Sequence, residues 1–223
     1  MDETMKEIII LGTGGNCIDI LDTINEINLN SKKYNCIGFL DDNPDNLGRD
    51  YYGIKVIGTL SEALKFNDVF FVNGIGSSNN FWKKKKIIQE TMIPIDRFET
   101  IIHPTASVSK LSEIGLGTVI FQNVTITSNV KLGNHVVILP NSIISHNNLI
   151  GDYTIITGGV CISGGVTIGE SSYLGTNCSI IGDINIGNYC LIGMGSCVLH
   201  DVKDNSVVVG NPASFIRKTI AEE

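Results

Sequence analysis

The chain has 223 residues, room for one large domain or two modest ones, and its 43% hydrophobic and 17% charged composition excludes a disordered chain. A net charge of −7 without any basic stripe excludes nucleic acid as the partner. No stretch approaches the ~20 apolar residues of a membrane span, the acidic opening at residues 1–7 lacks a signal-peptide core, and the six cysteines show no C-x-x-C spacing; the expectation is a soluble, reduced, cytoplasmic protein.

The first hundred residues alternate apolar runs, glycine turns and helical patterns. Residues 7–11 (Glu-Ile-Ile-Ile-Leu) read as a buried parallel strand. It runs into the turn Gly-Thr-Gly-Gly-Asn at 12–16 and then a helix with Ile18, Leu21, Ile24 and Ile27 on one face. A second strand at 36–40 ends in Asp41 and Asp42, residues 56–58 lead into a short helix near 61–66, a strand at 69–72 enters the turn 73–78, and a helix runs through Trp82 to Glu90. The alternation predicts a small Rossmann-like α/β sheet over residues 1–100. In such sheets ligands bind beyond the carboxyl ends of the strands, where the turns 12–16, 40–42 and 74–78 converge. Gly14 and Gly15 let a phosphate approach a helix N-terminus closely, so a nucleotide or nucleotide-sugar pocket is expected. A dinucleotide fingerprint would need glycine where Cys17 stands, which argues against NAD. The basic run at 83–86 is predicted to lie on the solvated side of its helix.

From Ile102 to Val198 every sixth residue is isoleucine, leucine or valine, without a miss. A hexapeptide period means a parallel β-helix, each unit one short strand plus a corner, three units closing a coil of 18 residues. Two positions before each aliphatic stands a mostly small or β-branched residue, such as Val124, Ser142 or Cys178, sized for a narrow prism interior. Cys178 and Cys190 read there as small hydrophobes. Gly115, Gly133, Gly151, Gly169 and Gly187 recur every coil, predicting a stack along one edge, with glycine relieving a tight or positive-φ corner. The unbroken period leaves smooth faces suited to self-association, with a trimer as the default. The expected fold is thus an α/β Rossmann-like domain followed, over residues 101–223, by a left-handed parallel β-helix.

Four histidines are candidates for chemistry. His103 precedes Pro104 at the domain junction, His135 follows a Gly-Asn turn and reads as an ordinary exposed loop residue, and His200 ends the hexad run. His146 lies mid-prism among polar residues. Coil arithmetic puts Gly164 one rung beyond it, about 4.8 Å away, where a base and a backbone amide suit acyl transfer. His200 is three rungs on, roughly 14 Å, so three imidazoles cannot converge in one subunit and no metal is expected.

The G-x-G-G turn, the Leu-Asp-Asp strand end, the Ile-His-Pro junction and the hexapeptide β-helix together resemble the sugar O- and N-acetyltransferases of the hexapeptide acyltransferase class. That family includes sialic acid O-acetyltransferases and N-acetyltransferases of nucleotide-linked 4-amino-4,6-dideoxy sugars. The ending Val209-Gly210-Asn211-Pro212-Ala213, followed by Arg217 and Lys218, is similar to the segment that closes the acetyl-CoA site. The resemblance covers essentially the whole chain. It implies His146 as catalytic base with Asn147 beside it, and the Gly164 amide facing the thioester. It implies Gly14, Gly15, Asn16, Asp41, Asp42, Gly76 and Ser77 for the nucleotide sugar, and Gly164, Gly182, Asn211, Pro212, Ala213, Arg217 and Lys218 for acetyl-CoA, in a homotrimer without metal. Three positions depart from the family pattern: Asn16 stands where histidine is common, Asn147 where an acidic residue is common, and Ile155 where some members carry a second active-site histidine. Asparagine orients an imidazole but stabilises its protonated form less than a carboxylate does. N-acetylation of a nucleotide-linked amino sugar for surface-glycan biosynthesis is the leading expectation. O-acetylation of a sialic or related nonulosonic acid is the alternative, and a non-catalytic β-helix binding protein the lesser one.

Overall fold

The computed structural model describes residues 5–219; residues 1–4, part of the opening read as lacking a signal peptide, lie outside the described residues. The N-terminal elements are β1 (Lys6–Leu11), α1 (Gly15–Asn30), β2 (Tyr34–Leu40), β3 (Asp50–Tyr51), β4 (Ile54–Gly58), β5 (Phe70–Asn73) and α2 (Lys84–Glu90). The sheet order is β3-β4-β2-β1-β5, with β1 parallel to both β2 and β5. Ile8, Ile9, Ile10 and Leu11 are wholly buried because β1 is an interior strand between β2 and β5, covered on both faces. The buried stripe of α1 is Cys17, Ile20, Leu21 and Ile24, while Ile18 and Ile27 are only partly buried. The helix is therefore rotated from the expected stripe, and Cys17 belongs to the core. β3 is a two-residue strand paired antiparallel to β4, too short to leave a pattern. The helix expected near 61–66 is a 3-10 turn, Leu60–Lys65, and the one expected through Trp82 opens as a 3-10 turn, Phe81–Lys83, before α2.

The rest is a three-sided prism of two-residue strands stacked in parallel. The first face carries the strands Ile101–Ile102, Val119–Ile120, Val137–Ile138, Ile155–Ile156, Tyr173–Leu174 and Leu191–Ile192. It is extended by Ser206–Gly210 and, antiparallel to that, Ala213–Lys218. The second face includes Ile143–Ile144 and Cys161–Ile162, the third Leu149–Ile150 and Thr167–Ile168. Up to Val198 each strand residue pairs with the one 18 further on, Ile126 with Ile144 and Ile144 with Ile162. From Ile120 to Val198 the aliphatic column forms one buried core. Polar members of the second column serve the corners: Thr118 Oγ1 donates to the Gly133 carbonyl (3.0 Å) and accepts the Val136 N–H (3.2 Å).

The glycine column stacks along one edge, but for a different reason from the one expected. Positive φ falls instead on the third residue after each aliphatic from Ile114 to Ile192, among them Asn123, Asn129, His135, Asn141, Asn147 and Tyr153. The glycines lie where coils touch backbone to backbone: a Cβ on Gly151 would stand 2.5 Å from the Glu170 nitrogen, and one on Gly187 would meet Asp204.

The N-terminal domain covers the first face. Ile101, Val119 and Val137 pack in one cluster with Ile8, Ile10 and the buried side of α1. Two sequence expectations fail at this junction. The run at 83–86 is not simply solvated: Lys83 and Lys86 are exposed, whereas Lys84 is wholly buried with Nζ donating to the His135 carbonyl (2.6 Å), and Lys85 pairs with Glu170 (2.8 Å). His135 is not an exposed loop residue either. It is 1% exposed, its ring stacked on Tyr153 and edge-on to Phe98, and burial, then the charge of Lys84, depresses its pKa to about 3.

Candidate active site

A cavity of about 440 Å³ opens at the carboxyl edge of the N-terminal sheet, lined by residues 12–17, Asp41, residues 74–77 and Asn80. The three turns expected to converge do so. The helix α1 is preceded by Gly14 as N-cap, with no side-chain cap, leaving its first amides for a ligand. Asp41 is held by three neighbours: Thr13 Oγ1 donates to Oδ2 (2.6 Å), and the Asn43 N–H (2.9 Å) and Asn46 Nδ2 (3.1 Å) donate to Oδ1. Thr13, within the expected turn but not singled out there, lines the cavity, and Asn46, which sequence reasoning missed, braces Thr13 and Asp41 from outside the lining. Asp42 does not line the cavity; its Oδ1 accepts the Leu60 N–H (2.9 Å) at the start of the 60–65 turn. Ser77 donates both N–H and hydroxyl to Asn80 Oδ1 (2.7 and 3.0 Å), closing the last turn. Asn16 lines the cavity, and Cys17 sits behind it, its thiol pushed up to about 12 by burial.

The far wall of the cavity comes from the first face of the prism: Leu139, Ile155, Thr157 and Tyr173. Gly76 (φ 138°) touches this wall so closely that a Cβ there would overlap Ile155 Cδ1. Phe81 packs on Tyr173 with ring centroids 5.6 Å apart. The pairs 139/157 and 155/173 are each one coil apart, and that spacing is the signal that could have found them.

His146 stands at the corner between the second and third faces, exposed, in the turn between Ile143–Ile144 and Leu149–Ile150. Buried Asn148 fixes that corner. Its Nδ2 donates to the Ser145 (2.7 Å) and Ser163 (3.0 Å) carbonyls, and its Oδ1 accepts the Val166 N–H (2.6 Å). The imidazole lies over Gly164: a Cβ there would overlap Cε1 and stand 2.8 Å from Nε2. The Gly164 N–H has no protein acceptor among the described residues, so it is free to meet an oxyanion. Asn147 sits in the left-handed region (φ 59°), its amide 3.2 Å from His146 Nδ1. Gly182 continues the column, a Cβ on it falling 2.9 Å from the Gly164 carbonyl. At the foot of the column His200 lines a second cavity, about 470 Å³, shared with Lys203, Ala213, Phe215 and Lys218. Asn211 and Pro212 form the turn that leads into that last strand, where Arg217 is exposed and donates Nη1 to the Lys218 carbonyl (3.0 Å). His103 is engaged with Thr105 (2.9 Å). Among the described residues no cluster of three or more His, Cys, Asp or Glu side chains could hold a metal ion.

The structure does not bring the two halves together within one chain. The sheet-edge cavity has its wall on the first face, and His146 occupies the edge opposite that face. With six residues to a side, they are separated by a prism width of up to roughly 20 Å.

Fold and geometry define the class of architecture: a Rossmann-like domain with a sheet-edge cavity, set on a left-handed hexapeptide β-helix. Residues 7–91 match the family model of the PglD N-terminal domain. Among solved structures, the chain is similar to the acetyltransferase domain of PglB from Neisseria gonorrhoeae FA1090 (24% identity, 95% of this chain and 100% of that chain, TM-score 0.82). It is similar to PerB from Caulobacter crescentus, solved in complex with CoA and GDP-perosamine (21% identity, 96% and 99%, TM-score 0.82). WeeI from Acinetobacter baumannii AYE has the same fold (23% identity, 96% and 100%, TM-score 0.79). No curated protein sequence matches the chain.

Proposed function

We propose that the protein is an acetyl-CoA-dependent N-acetyltransferase acting on the amino group of a nucleotide-linked amino-dideoxy sugar. The observation that carries this reading is the pairing of two half-sites: a sheet-edge cavity and an exposed imidazole lying over a free glycine amide. The fold likeness to PerB, whose structure holds CoA and GDP-perosamine, supports it. The pyrophosphate of the sugar nucleotide meets the uncapped start of α1 at Gly14 and Gly15. The nucleoside extends toward Asp41 and Thr13, and the sugar toward the prism wall at Ile155 and Tyr173. The amine attacks the thioester carbonyl directly, forming the C–N bond. His146 takes the ammonium proton, the Gly164 N–H steadies the oxyanion, and collapse expels CoA as its thiolate, which accepts a proton in turn.

Since cavity and base lie on opposite sides of one prism, the complete site pairs the cavity of one subunit with His146 of the next. The second face supports such an assembly. Its outward residues are uncharged (Ser107, Thr125, Ile143, Cys161, Ser179, Cys197), and Ile143, Ile181 and Leu199 expose aliphatic surface there. On this reading the protein is a homotrimer with acetyl-CoA in the groove between neighbouring prisms, passing Gly182. The tail from Asn211 to Ala213 closes its outer end, and Arg217 or Lys218 meets its 3′-phosphate as charge-assisted donors. The protein works in the cytoplasm, where acetyl-CoA is supplied. Among the described residues no helix is long and apolar enough to cross a membrane.

Two measurements test this together. Titration with acetyl-CoA and with UDP, GDP and dTDP should give binding of acetyl-CoA and one nucleotide; binding of acetyl-CoA alone would leave a free acid acceptor, and binding of neither would leave a scaffold. His146→Ala should keep acetyl-CoA affinity and lose the ~10²–10⁴-fold that a general base contributes.

A further inference from the structure

The proposed mechanism requires His146 to accept a proton at Nε2, the ring nitrogen that Asn147 leaves free, and therefore to carry its own proton on Nδ1. The atom facing Nδ1 is on Asn147, a neutral amide that offers either a donor or an acceptor. Its choice is governed by what else it binds. Asn129, one coil earlier in the same column, lies 3.2 Å from the Asn147 amide oxygen through its Nδ2. One coil later stands Gly165, which has no side chain to compete. Asn147 thus has two side-chain partners among the described residues, Asn129 and His146.

Two arrangements satisfy both contacts, because the two ends of an amide are interchangeable in shape. In the first, Asn129 donates to Asn147 Oδ1, Asn147 Nδ2 donates to His146 Nδ1, and the imidazole carries its proton on Nε2, where it is no base. In the second both amides are reversed: Asn147 Oδ1 accepts the Nδ1 proton of His146, and Asn147 Nδ2 donates to Asn129 Oδ1. The imidazolium formed during the reaction donates from both nitrogens and fits only the second. Both asparagines occupy left-handed corners (φ 57° and 59°), so their backbones already favour the residue type. The backbone preference does not decide which amide end faces the ring; the hydrogen-bond chain admits both, and only the second accommodates the imidazolium of the proposed reaction.

We propose that Asn129 is a positioning residue. By accepting from the Asn147 amide it leaves Asn147 Oδ1 for the imidazole, sets the Nδ1–H tautomer of His146, and lets a neutral amide serve where an acidic neighbour is commonly found. This rests on the acetyltransferase reading above.

The test replaces Asn129 with an acceptor and with a donor. Asn129→Asp can only accept at neutral pH and should preserve the relay; Asn129→Lys can only donate and should lock the first arrangement. Long-range ¹⁵N–¹H correlation spectra of the labelled protein report the tautomer of His146 directly, without substrate. Wild type and Asn129→Asp should show Nδ1–H, and Asn129→Lys should show Nε2–H. In steady-state kinetics Asn129→Lys should lose kcat by about tenfold or more, a share of what a general base supplies, with KM for both substrates unchanged, while Asn129→Asp stays within about threefold of wild type. The same tautomer, or the same kcat, in both variants would overturn the relay. Full activity of His146→Ala would instead defeat the base assignment itself, and the spectra would still decide whether Asn129 sets the tautomer.

Discussion

Lys84 is a base removed from water, with its ammonium head directed at one backbone carbonyl and its stem under the turn that lines the sheet-edge cavity. Burial lowers its pKa from 10.5 to about 7. Between those values the unfolded chain binds a proton that the folded chain does not, so stability rises with pH across that window and the penalty is fully present below it. Lys84→Met keeps the stem and removes the titration, while leaving the His135 carbonyl without its donor. Wild type should therefore gain stability relative to Lys84→Met between pH 7 and 10, by about 1.4 kcal/mol per unit, measured as paired denaturation curves across pH. A constant difference would show that Lys84 is charged in the folded state throughout. At this scale the sequence was legible only where the repeat supplied coordinates. His146 and Gly164 are 18 apart, and the ring lies over the glycine as subtraction predicts. His135 obeys the same repeat as a corner residue, and its stacking partner Tyr153 is one coil on, yet Phe98 and Lys84 of the other domain complete its burial, which no period encodes.

At the scale of single strands and corners, two columns divide the demands of the coil. Left-handed corners fall mainly to asparagine, with glycine, histidine, tyrosine, serine and aspartate at others. All of these but glycine carry a Cβ and accept its cost, roughly 1–2 kcal/mol at such a position. The glycine edge is governed by contact instead. Gly151→Ala pushes a Cβ into the backbone of the next coil and should cost about 3 kcal/mol or more. Gly195→Ala, at φ 65° with open space around it, should cost about 1–2 kcal/mol. Urea midpoints of the two variants would rank them, and the reverse order would return the glycine edge to a conformational role. The repeat revealed where glycine recurs; it did not distinguish the two reasons for glycine, because positive φ and close approach leave the same letter in a sequence. The stripe of α1 was misplaced for a related cause. Ile18 and Ile27 are only partly buried at the flanks of the packed face, and Cys17 and Ile20 complete the face that packs against β1.

For the whole molecule, the hexad run determined the prism and the glycine turns determined the sheet, while the relation between them depends on which face the N-terminal domain covers. That choice is written in the outward column of the first face. Ile101, Val119, Val137, Ile155 and Tyr173 are all apolar or aromatic, whereas the second face offers serine, threonine and cysteine at most of the matching positions. Once the first face is covered, cavity and imidazole are held on opposite sides of the chain, and neither half is a site alone. Subunits with complementary defects should therefore rescue each other. His146→Ala keeps a working cavity and Asp41→Ala keeps a working base, and each variant by itself should be nearly inactive. In a one-to-one mixture co-assembled at random, roughly a quarter of the interfaces join the intact cavity of the first to the intact base of the second. Activity should return toward that fraction of wild type as subunits exchange, followed alongside sedimentation to establish that mixed assemblies form. Mixed assemblies without activity would mean that cavity and base of one chain work together after all, and a fully active monomer would mean the same without any mixing.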